Sequence, residues 1–378
     1  MKFIHLSDLH IGRRVNGFSM LEDQEHILRE ILHIVEAEKP DAMFIAGDVY
    51  DKSIPSAEAV QLFDTFLTDL KTCCQHVFVI SGNHDSAERI AFGGRLMERS
   101  GVHMVPVYNG QVALLTLHDA HGPVHVYMLP YLRPSMVRQA FPDASIDSYT
   151  DAYREAVAQM NINIIDRNIL VAHAFVTGAE RSESEDISVG GADNVDASIF
   201  ADFDYVALGH LHRPQNIGSE RIRYCGTPLK YDFSEASHEK SLTVVELAEK
   251  GDLSVRTVAL TPMRDMRELR GTYMELTNRA VYEGTQTSDY LRITLTDEDD
   301  VPDALNKLRT IYPNIMRLDY DNRRTRATSQ LTISDDAPKL HPSELFSGFY
   351  EQQNGQPMNE AQEKFLAGLI ERIWEVEA

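Results

Sequence analysis

Cysteine is scarce in this 378-residue chain, which contains three. Cys73 and Cys74 are neighbours and Cys225 stands alone, so neither a disulfide framework nor a Cys-x-x-Cys zinc site is present. Positive charge is in short supply too. Lys and Arg number 36 against 58 Asp and Glu, and the net charge of -22 argues against a free-standing, high-affinity nucleic-acid binder. It leaves room for a nucleic-acid enzyme, because metal ions neutralise acidic ligands and a partner subunit can bring basic surface. No apolar run approaches the ~20 residues of a membrane helix. The leading MKFIHLSDLH meets Asp8 before the apolar stretch of a signal peptide can form. The expected home is a reducing cytoplasm, with no membrane contact. Repeats of solenoid length are also missing.

What is present is an ordinary globular composition, 43% hydrophobic and 25% charged, in a chain long enough for a large core and one or two smaller modules. Through the first two-thirds, KFIHLS, AMFIAG, HVFVISG, VHVYMLP, NILVAH, YVALGH and LTVVEL read as buried strands. Between the early ones, MLEDQEHILREILHIVEAEKP and SAEAVQLFDTFLTDLKT carry apolar residues at helical spacing, the second opened by Ser56 as an N-cap. Alternating strands and helices make an α/β domain. The later strands follow one another with less helix, which points to a mixed sheet or two stacked sheets. Near Thr261 and Pro262 the character changes: YMELTN, DYLRITLTDEDD, VPDALNKLRTIYP and IMRLDYDN read as strand, strand, helix, strand. ATSQLTISDDAPK then reads as a linker, and two amphipathic helices broken by NGQP close the chain.

Five of the apolar runs end in metal-binding side chain types. IHLSDLH supplies Asp8 and His10, FIAGDVYD supplies Asp48 and Asp51, and VISGNHD supplies Asn83, His84 and Asp85. LVAH supplies His173, and ALGHLH supplies His210 and His212. Ligand sites of α/β sheets form beyond the carboxyl ends of strands, so these residues can converge on one site. Carboxylate, amide and imidazole without thiolate suit Mn, Fe or Zn. There are too many donors for one ion and enough for two, and two cations about 3.5–4 Å apart can clamp a phosphate ester. Asp48 is the natural bridge, because Gly47 lets the backbone approach closely. His84 is left as a spare imidazole, suited to protonating a departing alkoxide. Taken singly the residues say less. His173 alone reads as a structural histidine, Asp48 as a turn residue, and Asn83 as a helix cap. Asp51 and Asp85 each read as a carboxylate orienting a histidine or as plain surface. The ordered conjunction carries the metal-site reading.

This set resembles the calcineurin-like metallophosphoesterases. HLSDLHIGRR, GDVYDKSIPS, SGNHDSAERI, HAFVTGAERSESE, VGG, LGHLHRPQ and YCGTPLKYDFSEASHEKS together resemble the SbcD nuclease family within them, over nearly the whole chain. The resemblance implies a four-layer α/β/β/α nuclease domain at 1–262, a small α+β capping, DNA-binding domain at 263–326, and a linker at 327–340. A helical segment at 341–378 would bind an SMC-like ATPase partner of the SbcC type. It implies two Mn²⁺ per subunit, with Fe or Mg as substitutes. Asp8, His10, Asp48 and His212 would surround one ion, and Asp48, Asn83, His173 and His210 the other, with His84 acting on the leaving group. The implied activity is DNA phosphodiester hydrolysis in recombination, replication and repair. It comprises a 3'-5' exonuclease on double-stranded ends and an endonuclease on single strands and hairpins, with ATP-dependent cleavage needing the partner. A homodimer within a heterotetramer is implied as well, through helices near 56–70 and 87–100, whose apolar faces equally suit a core.

In the tail, Leu345, Phe346, Phe349 and Tyr350 form one apolar stripe, and Phe365, Leu366, Leu369, Ile370, Ile373 and Trp374 form another. Asn359 with Gln362 has the form of a capping box. Such stripes dock a partner or pack on the protein's own core, and the polar linker before them favours a partner. Two other readings compete with the nuclease: a phosphatase or cyclic-nucleotide phosphodiesterase on the same scaffold, and a scaffold that has lost its chemistry. The protein-phosphatase motif Gly-Asp-x-x-Asp-Arg-Gly has an arginine where Lys52 follows Asp51 here, and a degenerate scaffold loses ligands that this chain keeps.

Overall fold

The computed structural model describes residues 1–105, 107–182, 184–185, 193–323, 346–351, 357–359 and 362–366. Two six-stranded mixed sheets lie face to face, each covered outside by helices. In the first, Lys2–Leu6, Ala42–Ala46, His76–Ile80 and Val102–Met104 run parallel. Ser241–Leu247 and Leu253–Ala259 extend it antiparallel on the other side of Lys2–Leu6. In the second, Gly122–Leu129, Arg167–His173, Tyr205–Gly209 and Ser219–Tyr224 are parallel, with Ala113–Asp119 and Gln215–Ile217 antiparallel at the edges.

Strand alternation builds three cores from these two sheets. Phe3, Phe44 and Phe78 point inward and meet Val126, Ile169, Val171 and Tyr205 from the second sheet. Their neighbours Ile4, Met43, Ile45 and Val77 point outward and meet Ile27, Ile31 and Val35 of helix α1 (Leu21–Glu38) and Phe63, Phe66 and Leu70 of helix α2 (Ala57–Cys73). Ser56 caps α2 by accepting from Ala59 N at 3.3 Å, as expected. On the far side, Leu170, Ala172, Val206 and Leu208 meet Ala152, Tyr153 and Ala156 of the helix Tyr149–Ala158. Each large side chain so buried contributes roughly 1.5–3 kcal/mol.

Polar side chains point inward as well. His5 is fully buried, with Nδ1 2.9 Å from Tyr205 Oη and Nε2 donating to the Leu208 carbonyl at 3.1 Å, so it ties the two sheets together. The apolar face of α2 is thus core. Residues 87–100 form no single helix: the one-turn pieces Ala87–Ile90 and Gly94–Met97 are separated by Gly93 at φ 75°, leaving Phe92 84% and Leu96 80% exposed.

The chain divides into two compact units, Met1–Thr294 with Asp303–Asp319, and Leu295–Pro302 with Tyr320–Ala378. Beyond the sandwich, Met266–Gly271, Tyr290–Leu295 and Ile315–Tyr320 form a small sheet in that order. YMELTN, expected as a strand, is a helical turn (Tyr273–Leu276). The reason is a reciprocal cap: Thr272 Oγ1 accepts from Glu275 N at 3.2 Å and Glu275 Oε2 accepts from Thr272 N at 2.8 Å. Asp23 of α1 fastens this module to the sandwich, accepting from Arg264 Nη1 at 2.9 Å and Tyr290 Oη at 2.7 Å. In the second unit, residues 346–351 and 362–366 are helical, and Asn359 and Gln362 exchange backbone-to-side-chain bonds at 2.9 and 3.0 Å, the expected capping box. Phe346, Phe349 and Phe365 are exposed. The expected linker, and Leu345, Leu369, Ile370, Ile373 and Trp374, lie outside the described residues. Among those described, no helix is long and apolar enough to cross a membrane.

Candidate metal centre

Asp8 and His10 follow the strand Lys2–Leu6, Asp48 follows Ala42–Ala46, and Asn83 follows His76–Ile80. In the second sheet His173 ends its strand, and His210 follows Tyr205–Gly209 directly, with His212 two residues on. The carboxyl ends of both sheets therefore open on one rim, and there the seven side chains meet. Asn83 Oδ1 lies 2.9 Å from both His173 Nε2 and His210 Nδ1. His10 Nε2 lies 3.2 Å from His212 Nε2. Asp48 stands between the two groups, with Oδ2 3.3 Å from His173 Nε2 and 3.8 Å from His10 Nε2. Asp8, His10 and His212 form one cluster able to hold a cation, and Asp8, Asp48 and His173 another.

Backbone strain accompanies this convergence. Asp8, His10, Asp48 and His210 have φ of 54°, 45°, 48° and 107°, a region that L side chains rarely adopt and that costs of order 1–3 kcal/mol each. The loops are held there by Asp8 N donating to the Gly47 carbonyl and His10 N to the Asp48 carbonyl, both at 3.0 Å. The glycines just before Asp48, Asn83 and His210 have no alternative. A Cβ on Gly47 would sit 2.3 Å from His173 Nδ1, and one on Gly209 would sit 1.8 Å from the Ala46 carbonyl oxygen.

The electrostatics follow from packing carboxylates and imidazoles together in a buried site. Burial pushes the Asp8 carboxyl up to about 8, with Asp48 adding to the rise and His173 opposing it. Burial acts on Asp48 in the same sense, but His173, His10 and His84 hold it well below the usual carboxylate range. His173 rises to about 9: burial opposes this, and the Asp48 and Asp8 carboxylates overcome it. Burial and the neighbouring His173 lower His210 to about 3, and burial puts His10 well below its ordinary value. His10 Nδ1 is buried without a hydrogen-bond partner among the described residues. Imidazole, amide and carboxylate donors packed 2.9–3.8 Å apart, several kept neutral by burial, fit divalent cations of the Mn, Fe or Zn type.

The remaining expected residues are close by. His84 donates its backbone N to Asp48 Oδ1 at 2.9 Å, its ring meets that of His10 edge-on at 4.9 Å, and its Nδ1 lies 3.2 Å from the Asp51 carbonyl. His84 also falls in a cluster with His10 and Asp48. Asp51 pairs through its carboxylate with Arg13 at 2.9 Å. Asp85 is partly buried. It accepts from Gly82, Val49 and Tyr50 N at 3.0–3.1 Å, pinning two ligand loops together.

Several contributors escape sequence reasoning. Gln24 of α1 donates to the His10 carbonyl at 2.8 Å and accepts from Gly12 N, while Tyr231 Oη donates to the Leu9 carbonyl at 2.6 Å. Tyr131 stacks on the His210 ring. Ser184, Glu235 and Lys240 lie behind His212. No local spacing marks any of them as part of a site.

Residues 1–214 match the calcineurin-like phosphoesterase family, and residues 262–354 match the type 5 capsule protein repressor C-terminal domain, SbcD_C. The chain is 31% identical to the SbcD subunit of the SbcCD nuclease of Staphylococcus epidermidis, over 99% of each chain. It is 32% identical to that of Staphylococcus saprophyticus, over 98% of this chain and 99% of the other. Among solved structures, GAP50, the anchor in the inner membrane complex of Plasmodium, is 12% identical, with a TM-score of 0.44 over 86% of this chain and 98% of its own. The chain belongs to the SbcD family of calcineurin-like phosphoesterases.

Proposed function

We propose that the chain is the nuclease subunit of an SbcCD-type complex, a two-metal phosphodiesterase acting on DNA with an SbcC-like ATPase partner. One observation carries the reading: seven donor side chains from five strand ends meet on one rim, with Asp48 facing both groups. Asp8, His10, Asp48 and His212 would hold one cation, and Asp48, Asn83, His173 and His210 the other. Two bound divalent cations, manganese by family, supply the Lewis acidity that phosphoester hydrolysis requires.

The chain's own groups do the rest. The strained loops hold the donors in place before a substrate arrives. His84, its Nδ1 tied to the Asp51 carbonyl, passes a proton from Nε2 to the oxygen that leaves phosphorus. Tyr131 keeps the His210 ring in its plane. A net charge of -22 places the burden of phosphate attraction on the cations and the partner.

The nuclease domain at 1–262, the DNA-binding cap at 263–326 and the partner-binding tail at 341–378 divide the labour. Exposed Phe346, Phe349 and Phe365 support the last of these roles. Exposed Ile54, Phe92 and Leu96 supply an apolar surface for a second copy. The test is degradation of linear double-stranded, single-stranded and hairpin DNA with Mn²⁺, with and without the ATPase and ATP. Cleavage from 3' ends and at hairpins, stimulated by the partner, is expected. Hydrolysis of phosphomonoesters with no cleavage of DNA would move the protein to the phosphatases.

A further inference from the structure

Behind His212, on the side away from the other donors, lies a buried chain of charged and hydroxyl groups. Glu235 is fully buried, and Lys240 and Thr227 nearly or wholly so. Lys240 Nζ donates to Glu235 Oε2 at 2.6 Å, Thr227 Oγ1 at 2.7 Å and the His212 carbonyl at 2.8 Å. An ammonium has three N–H groups, so all are committed. Thr227, accepting from Lys240, passes its own proton to the Leu229 carbonyl at 2.7 Å.

At the other oxygen, Glu235 Oε1 accepts from Ser184 Oγ. With that proton committed, Ser184 Oγ accepts from His212 Nδ1 at 2.6 Å, and Glu235 Oε1 itself is 3.2 Å from the same nitrogen. Every proton in the chain has one direction, and the direction is set by the ammonium. His212 therefore carries its proton on Nδ1 and turns the lone pair of Nε2 toward His10 and the donor cluster.

Two other imidazoles are backed differently. His173 Nδ1 meets the neutral Ala46 carbonyl at 2.8 Å, and His10 Nδ1 has no partner among the described residues. A carboxylate behind an imidazole fixes its tautomer and strengthens it as a ligand. Stability does not account for the buried pair, because desolvating two ions offsets most of their attraction.

We propose that Glu235, clamped by Lys240, is a positioning residue that fixes His212 in the Nδ1–H form and makes the Asp8, His10 and His212 position the tighter of two cation sites. This rests on the two-metal reading above and adds an asymmetry to it.

The test is Mn²⁺ titration of the full chain by calorimetry, with elemental analysis after dialysis. Glu235→Gln combined with Lys240→Met removes both buried charges together. Wild type should bind two equivalents of unequal affinity, and the double variant should hold the weaker unchanged and the tighter about 10–100-fold more weakly. Adding the pair of substitutions to His10→Ala should then leave the surviving equivalent as it was. Two equivalents unchanged, weakened alike, or weakened only at the looser one, would overturn the proposal. Fewer than two equivalents in wild type would instead refute the two-metal reading. Positioning is then judged on the metal-free protein by histidine ¹⁵N spectra, where an unchanged His212 tautomer in the double variant overturns it. Should the double variant not fold, Ser184→Ala keeps both charges and should weaken the same equivalent several-fold. An unaltered titration would count against the proposal.

Discussion

His84→Ala tests the division between holding cations and moving protons. The backbone N of His84, not its ring, bonds Asp48 Oδ1, so the substitution keeps that 2.9 Å bond. What is removed is the ring against His10 and its contact with the Asp51 carbonyl at 3.2 Å. The ring is only half-buried, so the cost in stability should stay within about 1 kcal/mol. General acid catalysis contributes about 10²–10⁴-fold, or roughly 3–5 kcal/mol of barrier. The chemical effect should therefore exceed the structural one several times over. Leaving group separates the two. A 3'-alkoxide departing from DNA needs a proton, whereas p-nitrophenolate departs as a stable anion. The variant should lose most DNA cleavage, keep most hydrolysis of a p-nitrophenyl phosphodiester, and retain both metal equivalents. Equal losses on both substrates would refute the proton-transfer role. Loss of one equivalent would make His84 a ligand, as its place in a cluster with His10 and Asp48 allows.

Asp48→Asn should weaken both cation positions and His10→Ala one, because Asp48 lies against both His173 and His10. Equal stoichiometric losses in elemental analysis would end the bridging role. Acid should expose His5: burial, with Arg223 adding, lowers its imidazole to about 3. Below the ordinary value of roughly 6.5, unfolded chains take up a proton that the native state refuses, so stability falls as pH drops from about 6.5 toward 3, by up to the order of 4 kcal/mol. His5→Gln cannot titrate, so its urea midpoint should fall less steeply over that window; parallel slopes would refute this. Removing residues 341–378 should leave the metal content and the hydrolysis of small phosphodiesters intact while abolishing co-purification with the ATPase. A melting temperature lowered by many degrees would assign the tail's apolar stripes to the protein's own core.

The sandwich was legible because its signals are local. Runs such as KFIHLS and NILVAH alternate between an inner and an outer core, so both faces are apolar and the strands read as continuous hydrophobic segments. YMELTN misled for an equally local reason: its β-branched and aromatic character was outweighed by the Thr272–Glu275 cap, whose signal lies one residue upstream. Residues 87–100 misled because the helical periodicity continues through Gly93, whose left-handed backbone sets the second turn apart from the first. Sheet membership was not legible at all. Nothing in NILVAH says that it lies in a different sheet from AMFIAG.

The convergence of these side chains was legible because chemistry and position coincide. A ligand must sit at a strand's carboxyl end, and there the sequence changes abruptly from apolar residues to Gly, Asp, Asn and His. What supports the donors has no such marker. Gln24 holds the His10 loop from a helix, Asp85 pins backbone amides rather than side chains, and Glu235 reaches His212 across 23 residues of chain. These contacts depend on two sheets meeting at one rim, a relation created only by folding. The glycines join the two kinds of information. Gly47 and Gly209 look like turn residues in the sequence, yet each is required because the other sheet presses against it: His173 crowds Gly47, and the Ala46 carbonyl crowds Gly209. Close approach of the sheets is thus written into the motifs, and it draws donors from separate strands to within 4 Å of one another.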